Sequence, residues 1–213
     1  MPFRFASMSR RAAVTGAALA SMALLAGCNS NSGAAAEGDM ALGAPEGAKV
    51  TVVEYASVTC GHCALWQQNT WPAFKAKYVD TNKVRYVFRE LPTPPVDVAA
   101  AGFLVARCAG PDKYFDVVHQ LLATQQEMIS STPRAWLLRT AQAAGMSEQQ
   151  FEQCVTNEDN IAALDRRVQA AVAAGVTGTP YFTVNGQKVN YVGGEGARMS
   201  DLEPVIDPLL AAN

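Results

Sequence analysis

The sequence predicts a single α/β domain interrupted by a block of helices, and three observations carry that reading. A Val-rich strand, Lys49 to Ala56, runs into Cys60-Gly61-His62-Cys63 at the head of a helix, and a second, alternating strand, Lys83 to Glu90, returns after that helix. From about residue 96 to residue 176 the chain is Ala-rich with helical spacing. Strand character then resumes in Tyr181-Phe182-Thr183-Val184 and Lys188-Val189-Asn190-Tyr191-Val192 around Asn185-Gly186, a dipeptide that suits a two-residue hairpin because both positions accept positive φ. The expected order is strand, helix, strand, helical insert, hairpin, helix.

At 213 residues, 49% hydrophobic and 17% charged, the chain has material for one full core. Its first segment stands apart from that core. Arg4, Arg10 and Arg11 form a basic region, and Ala12 to Ala26 is an apolar stretch too short to span a membrane. Residues 1–27 are therefore expected to be a signal peptide. The stretch ends in Leu25-Ala26-Gly27-Cys28, which resembles the lipobox of bacterial lipoproteins, in which Cys28 becomes the lipidated first residue. Each buried CH₂ of such an anchor contributes about 0.8 kcal/mol. The alternative is an ordinary signal sequence with a chance cysteine. Asn29, rather than Asp, by the same resemblance favours the outer membrane. Ser9-Arg10-Arg11 hints at a twin-arginine signal, but the residues after it match poorly. Loss of residues 1–27 removes three arginines and no acid, taking the net charge from −2 to −5. A mildly acidic surface argues against nucleic acid and offers no basic face to anionic lipid. Residues 28–45, rich in Gly, Ala, Ser and Asn, are expected to be a flexible tether.

The first strand lacks clean alternation, as expected of a strand buried on both faces. Glu54 is its anomaly. It either faces solvent at a strand edge, or is buried with a raised pKa and serves Cys63 as proton acceptor and donor. Two cysteines three positions apart in a first helical turn can approach to roughly 5 Å at their Cα atoms, within disulfide range. Cys60 lies where unpaired N–H groups and the helix dipole stabilise a thiolate, which makes it the expected nucleophile. Cys63, one turn in and more buried, would resolve the mixed disulfide. His62 can add a positive charge or a donor beside the thiolate, favouring the reduced form. The rival uses of the motif fit less well. Haem attachment needs His at position 64, where Ala64 stands. Structural zinc needs a second ligand pair, whereas Cys108 and Cys154 stand alone and far apart. A four-residue loop is also a poor structural staple.

The helix is expected from Ala64 to Tyr78, kinked at Pro72, with Trp66, Trp71 and Phe74 as core and Trp66 as a candidate flank of the site. Lys83 to Glu90 completes a right-handed βαβ unit, with Arg89 and Glu90 as an ordinary charged strand end. Leu91-Pro92-Thr93-Pro94-Pro95 stops the pattern. Breaks at Gly110-Pro111, Ser131-Thr132-Pro133 and Gly145-Met146-Ser147 divide the insert into four or five helices, one opened by the capping-box pattern Ser147-Glu148-Gln149-Gln150. His119 reads as a helix-face histidine rather than a ligand. Met199 to Leu210 is the closing helix.

The run Val53-Glu54-Tyr55-Ala56-Ser57-Val58-Thr59-Cys60-Gly61-His62-Cys63, the helical insert, and Gly175-Val176-Thr177-Gly178-Thr179-Pro180-Tyr181-Phe182-Thr183-Val184-Asn185-Gly186 together resemble the DsbA-like branch of the thioredoxin superfamily, over about residues 46 to 211. The resemblance implies a thioredoxin fold with an inserted helical domain. It implies Cys60 as nucleophile, Cys63 as resolving cysteine and Glu54 as a buried acid, with no cofactor and no metal. It further implies that Pro180 is a cis-proline beside the disulfide and that Thr179 offers its backbone to an extended client. A cis X-Pro turn lays a strand edge there for β-augmentation. Gly61, Thr179 and Pro180 are then the residues expected to meet the client. Cys108 and Cys154 both fall in the insert, and in an oxidising compartment two such cysteines usually pair, as in some DsbA-like proteins; two buried free thiols are the alternative.

The best-known DsbA oxidase carries Pro-His between its cysteines and Val before its cis-proline, where this chain has Gly61-His62 and Thr179. Threonine there also occurs in disulfide isomerases of the superfamily. Those resemble dimers or trimers built through an added N-terminal module, and about 20 residues between Cys28 and Lys49 are too few for one. The expected protein is thus a monomeric periplasmic oxidase, lipid-anchored to a membrane. Its clients are unfolded or reduced exported proteins, and a membrane redox partner reoxidises it. A reductase or isomerase held reduced, and a tethered peptide-binding chaperone, are the alternatives.

Overall fold

The computed structural model describes residues 35–212. The expected leader, Cys28 and the first part of the expected tether lie outside the described residues. Five strands form one sheet: β1 (Met40–Gly43), β2 (Thr51–Ala56), β3 (Arg85–Glu90), β4 (Tyr181–Val184) and β5 (Gln187–Lys188), in the order β1-β3-β2-β4-β5. Only β2 and β3 run parallel, and the other pairs are antiparallel.

β2 is the central strand and is covered on both sides. Val52 and Ala56 face a large core shared with the helices, while Val53 and Tyr55 face a smaller one with Val87, Leu91, Ala171 and Val176. Glu54, between them, is 2% exposed. Its position on the central strand removes the solvent-facing alternative.

α1 (Gly61–Asn69) is followed by α2 (Trp71–Phe74) and a π-helical turn (Lys75–Val79). The single helix expected to Tyr78 is thus broken at Thr70. Pro72, which cannot donate a helical hydrogen bond, sits in the first turn of α2, where that donor is not needed. Trp66, Trp71 and Phe74 are buried as core, and Trp66 Nε1 donates to Ala197 O at 2.7 Å.

The insert holds six helices: α3 (Val96–Cys108), α4 (Pro111–Ala123), α5 (Gln125–Ser130), α6 (Pro133–Ala143), α7 (Glu148–Thr156) and α8 (Glu158–Ala173). The helix beyond the four or five expected comes from short breaks at Thr124 and Asn157. Asn157 caps α8 by accepting from Asn160 N–H, and Ser147 opens α7 with both bonds of a capping box. Cys108 at the end of α3 and Cys154 in α7 are disulfide-bonded. His119 packs against Trp71 and Phe115, with ring centroids at 5.1 and 6.0 Å, and burial lowers its pKa to about 4. α9 (Met199–Ala211) closes the chain by burying Leu202 and Ile206.

Three further expectations are corrected. The tether expected over 28–45 includes β1, which pairs with β3 from Met40 opposite Phe88 to Gly43 opposite Arg85. Met40 and Leu42 pack on the core, and the Arg89 guanidinium grips Asp39 with two bonds of 2.8 and 2.7 Å. Glu90 is no ordinary strand end. It is 1% exposed and accepts from Arg107 Nε at 2.5 Å, Arg167 Nε at 2.7 Å and Tyr114 OH at 3.1 Å. The second hairpin strand, expected from Lys188 to Val192, stops at Lys188: Val189 N–H still donates to Phe182 O at 2.9 Å, but the chain then leaves the sheet, with Val192 exposed, ahead of Gly193 and Gly194.

Candidate active site

The C-terminal end of β2 delivers the chain to Cys60, the N-cap of α1. Its Sγ accepts from Cys63 N–H at 3.3 Å, taking the place of a capping side-chain oxygen. The loop before it is tied down from two sides, by Thr93 and by Gln125. Ser57 Oγ accepts from Thr93 N–H at 3.1 Å, and Thr59 Oγ1 donates to Thr93 O at 2.9 Å. Gln125, at the start of α5, donates one amide to both Val58 O at 2.8 Å and Cys60 O at 3.1 Å.

The turn before β4 meets this loop. The Thr179–Pro180 peptide is cis, and the Cys60 thiol donates to Thr179 O at 3.6 Å. Pro180 O in turn accepts from Tyr191 OH. Residues 191–197 then pass over the site, approaching it most closely at two glycines. A Cβ on Gly194 would lie 2.6 Å from His62 Cε1, and one on Gly196, at φ +85°, would lie 2.9 Å from Pro180 Cγ and 3.0 Å from Trp66 Cδ1. Glycine is needed at Gly196 both for its φ and for this approach.

The electrostatics separate the two cysteines. Cys60 is held down to about 6, first by the hydrogen bond from the Cys63 thiol, which outweighs burial; Thr179 and the backbone N–H groups of Cys63 and His62 add to it. The Thr179 hydroxyl is buried and makes no hydrogen bond among the described residues, so it aids the thiolate by its nearness rather than through a formed bond. Cys63 is pushed up by burial, by Cys60 and by Glu54. Glu54 is raised to about 8, mainly by burial and also by the Cys60 charge, while a hydrogen bond from Tyr86 OH to Oε2 opposes the rise. The arrangement is a nucleophilic thiolate at neutral pH beside a protonated thiol, with a protonated acid behind them.

Cys60, Gly61, His62, Cys63, Glu54, Thr179 and Pro180 are therefore brought to one place, while Cys108 and Cys154 sit in the insert. His62 acts on the sulfur through its backbone N–H; its exposed ring lies against Gly194. The sequence reading passed over Tyr86, Gln125, Tyr191 and the two glycines. The cluster Gly193-Gly194-Glu195-Gly196 was the available signal, since glycines crowded after a strand mark close backbone approach. Among the described residues no group of three or more His, Cys, Asp or Glu is placed to hold a metal ion, and no helix is long and apolar enough to cross a membrane.

Residues 35–207 match the family described as thioredoxin. A Rickettsia conorii protein named "Putative protein-disulfide oxidoreductase" is 39% identical over 159 residues, covering 73% of this chain and 56% of the relative. The chain thus spans little more than half the length of such relatives. The crystal structure of Wolbachia pipientis alpha-DsbA1 aligns with a TM-score of 0.71 at 25% identity, over 85% of this chain and 96% of that one. A thioredoxin-like oxidoreductase from Silicibacter pomeroyi aligns with a TM-score of 0.62 at 26% identity, over 82% and 94%. The fold is the expected thioredoxin fold, with helices inserted between β3 and β4.

Proposed function

The chain belongs to the thioredoxin family, and on that premise we propose that it is a protein-disulfide oxidoreductase that donates a Cys60–Cys63 disulfide to exported proteins. The observation that carries this reading is the placement of Cys60. Its sulfur caps α1, accepts the Cys63 N–H and lies 3.6 Å from the carbonyl of Thr179 beside cis Pro180.

In the oxidised protein a client thiolate attacks Cys60 Sγ. A client–Cys60 disulfide forms, the Cys60–Cys63 bond breaks, and the Cys63 sulfur leaves as a thiolate. Glu54, protonated below about pH 8, hands that sulfur its proton. A second client thiolate then attacks the client sulfur of the mixed disulfide and releases Cys60 as a thiolate. Two electrons pass from client to protein, and a membrane partner accepts them when it restores the disulfide. Gly61, Thr179 and Pro180 border the sulfur and offer backbone to an extended client, which pairs there as an added strand. The stabilised Cys60 thiolate supports the donor direction, because it favours the reduced protein and so makes its disulfide a stronger oxidant.

Residues 1–27 are read as a signal peptide and Cys28 as a lipid attachment point, which puts the domain in the periplasm on an anchor, with the outer membrane favoured by Asn29. The protein is read as a monomer there.

The test is a stoichiometric exchange between the oxidised protein and a synthetic peptide carrying two reduced cysteines. One peptide disulfide per protein is expected, with none formed by Cys60→Ser. A peptide that stays reduced overturns the proposal and leaves a peptide-binding module; a Cys60→Ser variant as effective as the parent overturns it by placing the oxidising pair elsewhere, as at Cys108–Cys154.

A further inference from the structure

We propose that Tyr86 is a positioning residue for the Cys63 half-reaction: its hydroxyl, donated to Glu54 Oε2, steadies the carboxylate each time Glu54 gives its proton away. The inference rests on the oxidoreductase reading above and adds to it a residue outside the Cys-x-x-Cys motif and the cis-proline turn.

The placement follows from the sheet. In the parallel register Val52 lies beside Tyr86 and Glu54 beside Phe88, so Tyr86 and Glu54 project from the same face, toward α1. The Tyr86 ring has little freedom to turn. It is stacked on Trp66 at 11° with centroids 6.4 Å apart, and Trp71, Phe74 and Phe115 surround it at 4.7, 5.9 and 6.1 Å. Tyr86 is 1% exposed and Glu54 2%. A carboxylate formed there has no bulk water to turn to, and a buried charge persists only where a fixed donor meets it.

The titratable groups that face Glu54 are Cys60 and Cys63 on α1, Tyr86 on β3 and Tyr191 in the loop after β5. None of these is a cation, and Tyr86 is the one hydrogen-bonded to the carboxyl. Burial and the Glu54 charge hold Tyr86 itself protonated, so it stays a donor. When Cys63 leaves as a thiolate, the proton moves from Glu54 to Cys63 Sγ and the Tyr86 hydroxyl meets the carboxylate that remains. On reoxidation the carboxylate takes the proton back from the Cys63 thiol, whose thiolate then attacks the mixed disulfide on Cys60.

The experiment isolates that return step. The reduced protein is joined through Cys60 to glutathione as a mixed disulfide, and release of glutathione by Cys63 is followed against pH. Four chains are compared: unsubstituted, Tyr86→Phe, Glu54→Gln and the double variant. Tyr86→Phe keeps the ring in its aromatic surroundings and removes only the hydroxyl. It is expected to move the midpoint of the pH profile upward by about one unit, the size of a charge-assisted hydrogen bond, and to do nothing in the Glu54→Gln background. An unmoved midpoint in Tyr86→Phe, or an equal change with and without Glu54, overturns the inference while the oxidoreductase reading stands. If the unsubstituted chain never releases glutathione, both fall.

Discussion

The backbone N–H of Cys63 donates to Cys60 Sγ at 3.3 Å, so the residue placed to resolve a mixed disulfide also stabilises the attacking sulfur. In the reduced chain, iodoacetamide should modify Cys60 with a half-maximum near pH 6 and leave Cys63 unmodified at neutral pH. Mass spectrometry of the alkylated protein, with thiolate absorbance at 240 nm, checks both. Because the Cys60 pKa is depressed on folding, the reduced protein should gain stability from this group as pH rises above about 6 and lose it as pH falls through that value.

Glu54 has the opposite sign. Its pKa is raised on folding from 4.5 to about 8, so its contribution is most favourable in acid and becomes a penalty as pH rises. Glu54→Gln should therefore melt progressively higher than the parent between about pH 4.5 and pH 8, with a constant difference above that. Melting curves across this range test it; a difference independent of pH would mean that Glu54 is not held protonated.

Glu90 ties β3 to α3 and α8 through Arg107 and Arg167. Removing a buried partner leaves charges without compensation, at about 3–5 kcal/mol. With Arg107 and Arg167 partly exposed, Glu90→Ala should fall at the lower end of that range, measured by urea unfolding. A loss under about 1 kcal/mol, the size of a surface ion pair, would contradict the network's structural role.

The two loop glycines should respond differently. Alanine at Gly196 meets Pro180, Trp66 and Phe182 and also needs φ +85°, so a loss of about 1–3 kcal/mol is expected from overpacking and strain. Alanine at Gly194 meets only the ring end of exposed His62, which can swing away. Gly194→Ala should leave the melting temperature nearly unchanged and shift the His62 ring resonances.

What the sequence made legible was local. Cys60 to Cys63 at a helix start, the Val-rich β2, the Asn185-Gly186 turn and the Ser147 capping box each depend on neighbours within a few positions, and each appears where expected. What it hid depends on partners far along the chain. Glu90 looked like an ordinary charged strand end because Arg167 lies 77 residues away. Nothing within the strand Lys83 to Glu90 marked Tyr86 until the register of β2 and β3 set it on the face of Glu54. β1 was obscured by its setting: four residues, Met40 to Gly43, follow a stretch of Ala, Gly and Ser, and pairing with β3 decides them rather than propensity.

The most direct test of the central claim is the redox state of Cys60–Cys63 in living cells. Thiols are trapped with acid and free cysteines counted by alkylation, in a Cys108→Ser/Cys154→Ser background that removes the second disulfide. A pair found mostly oxidised is the predicted result and fits a disulfide donor; a pair found mostly reduced would contradict it and make the protein a reductase or isomerase.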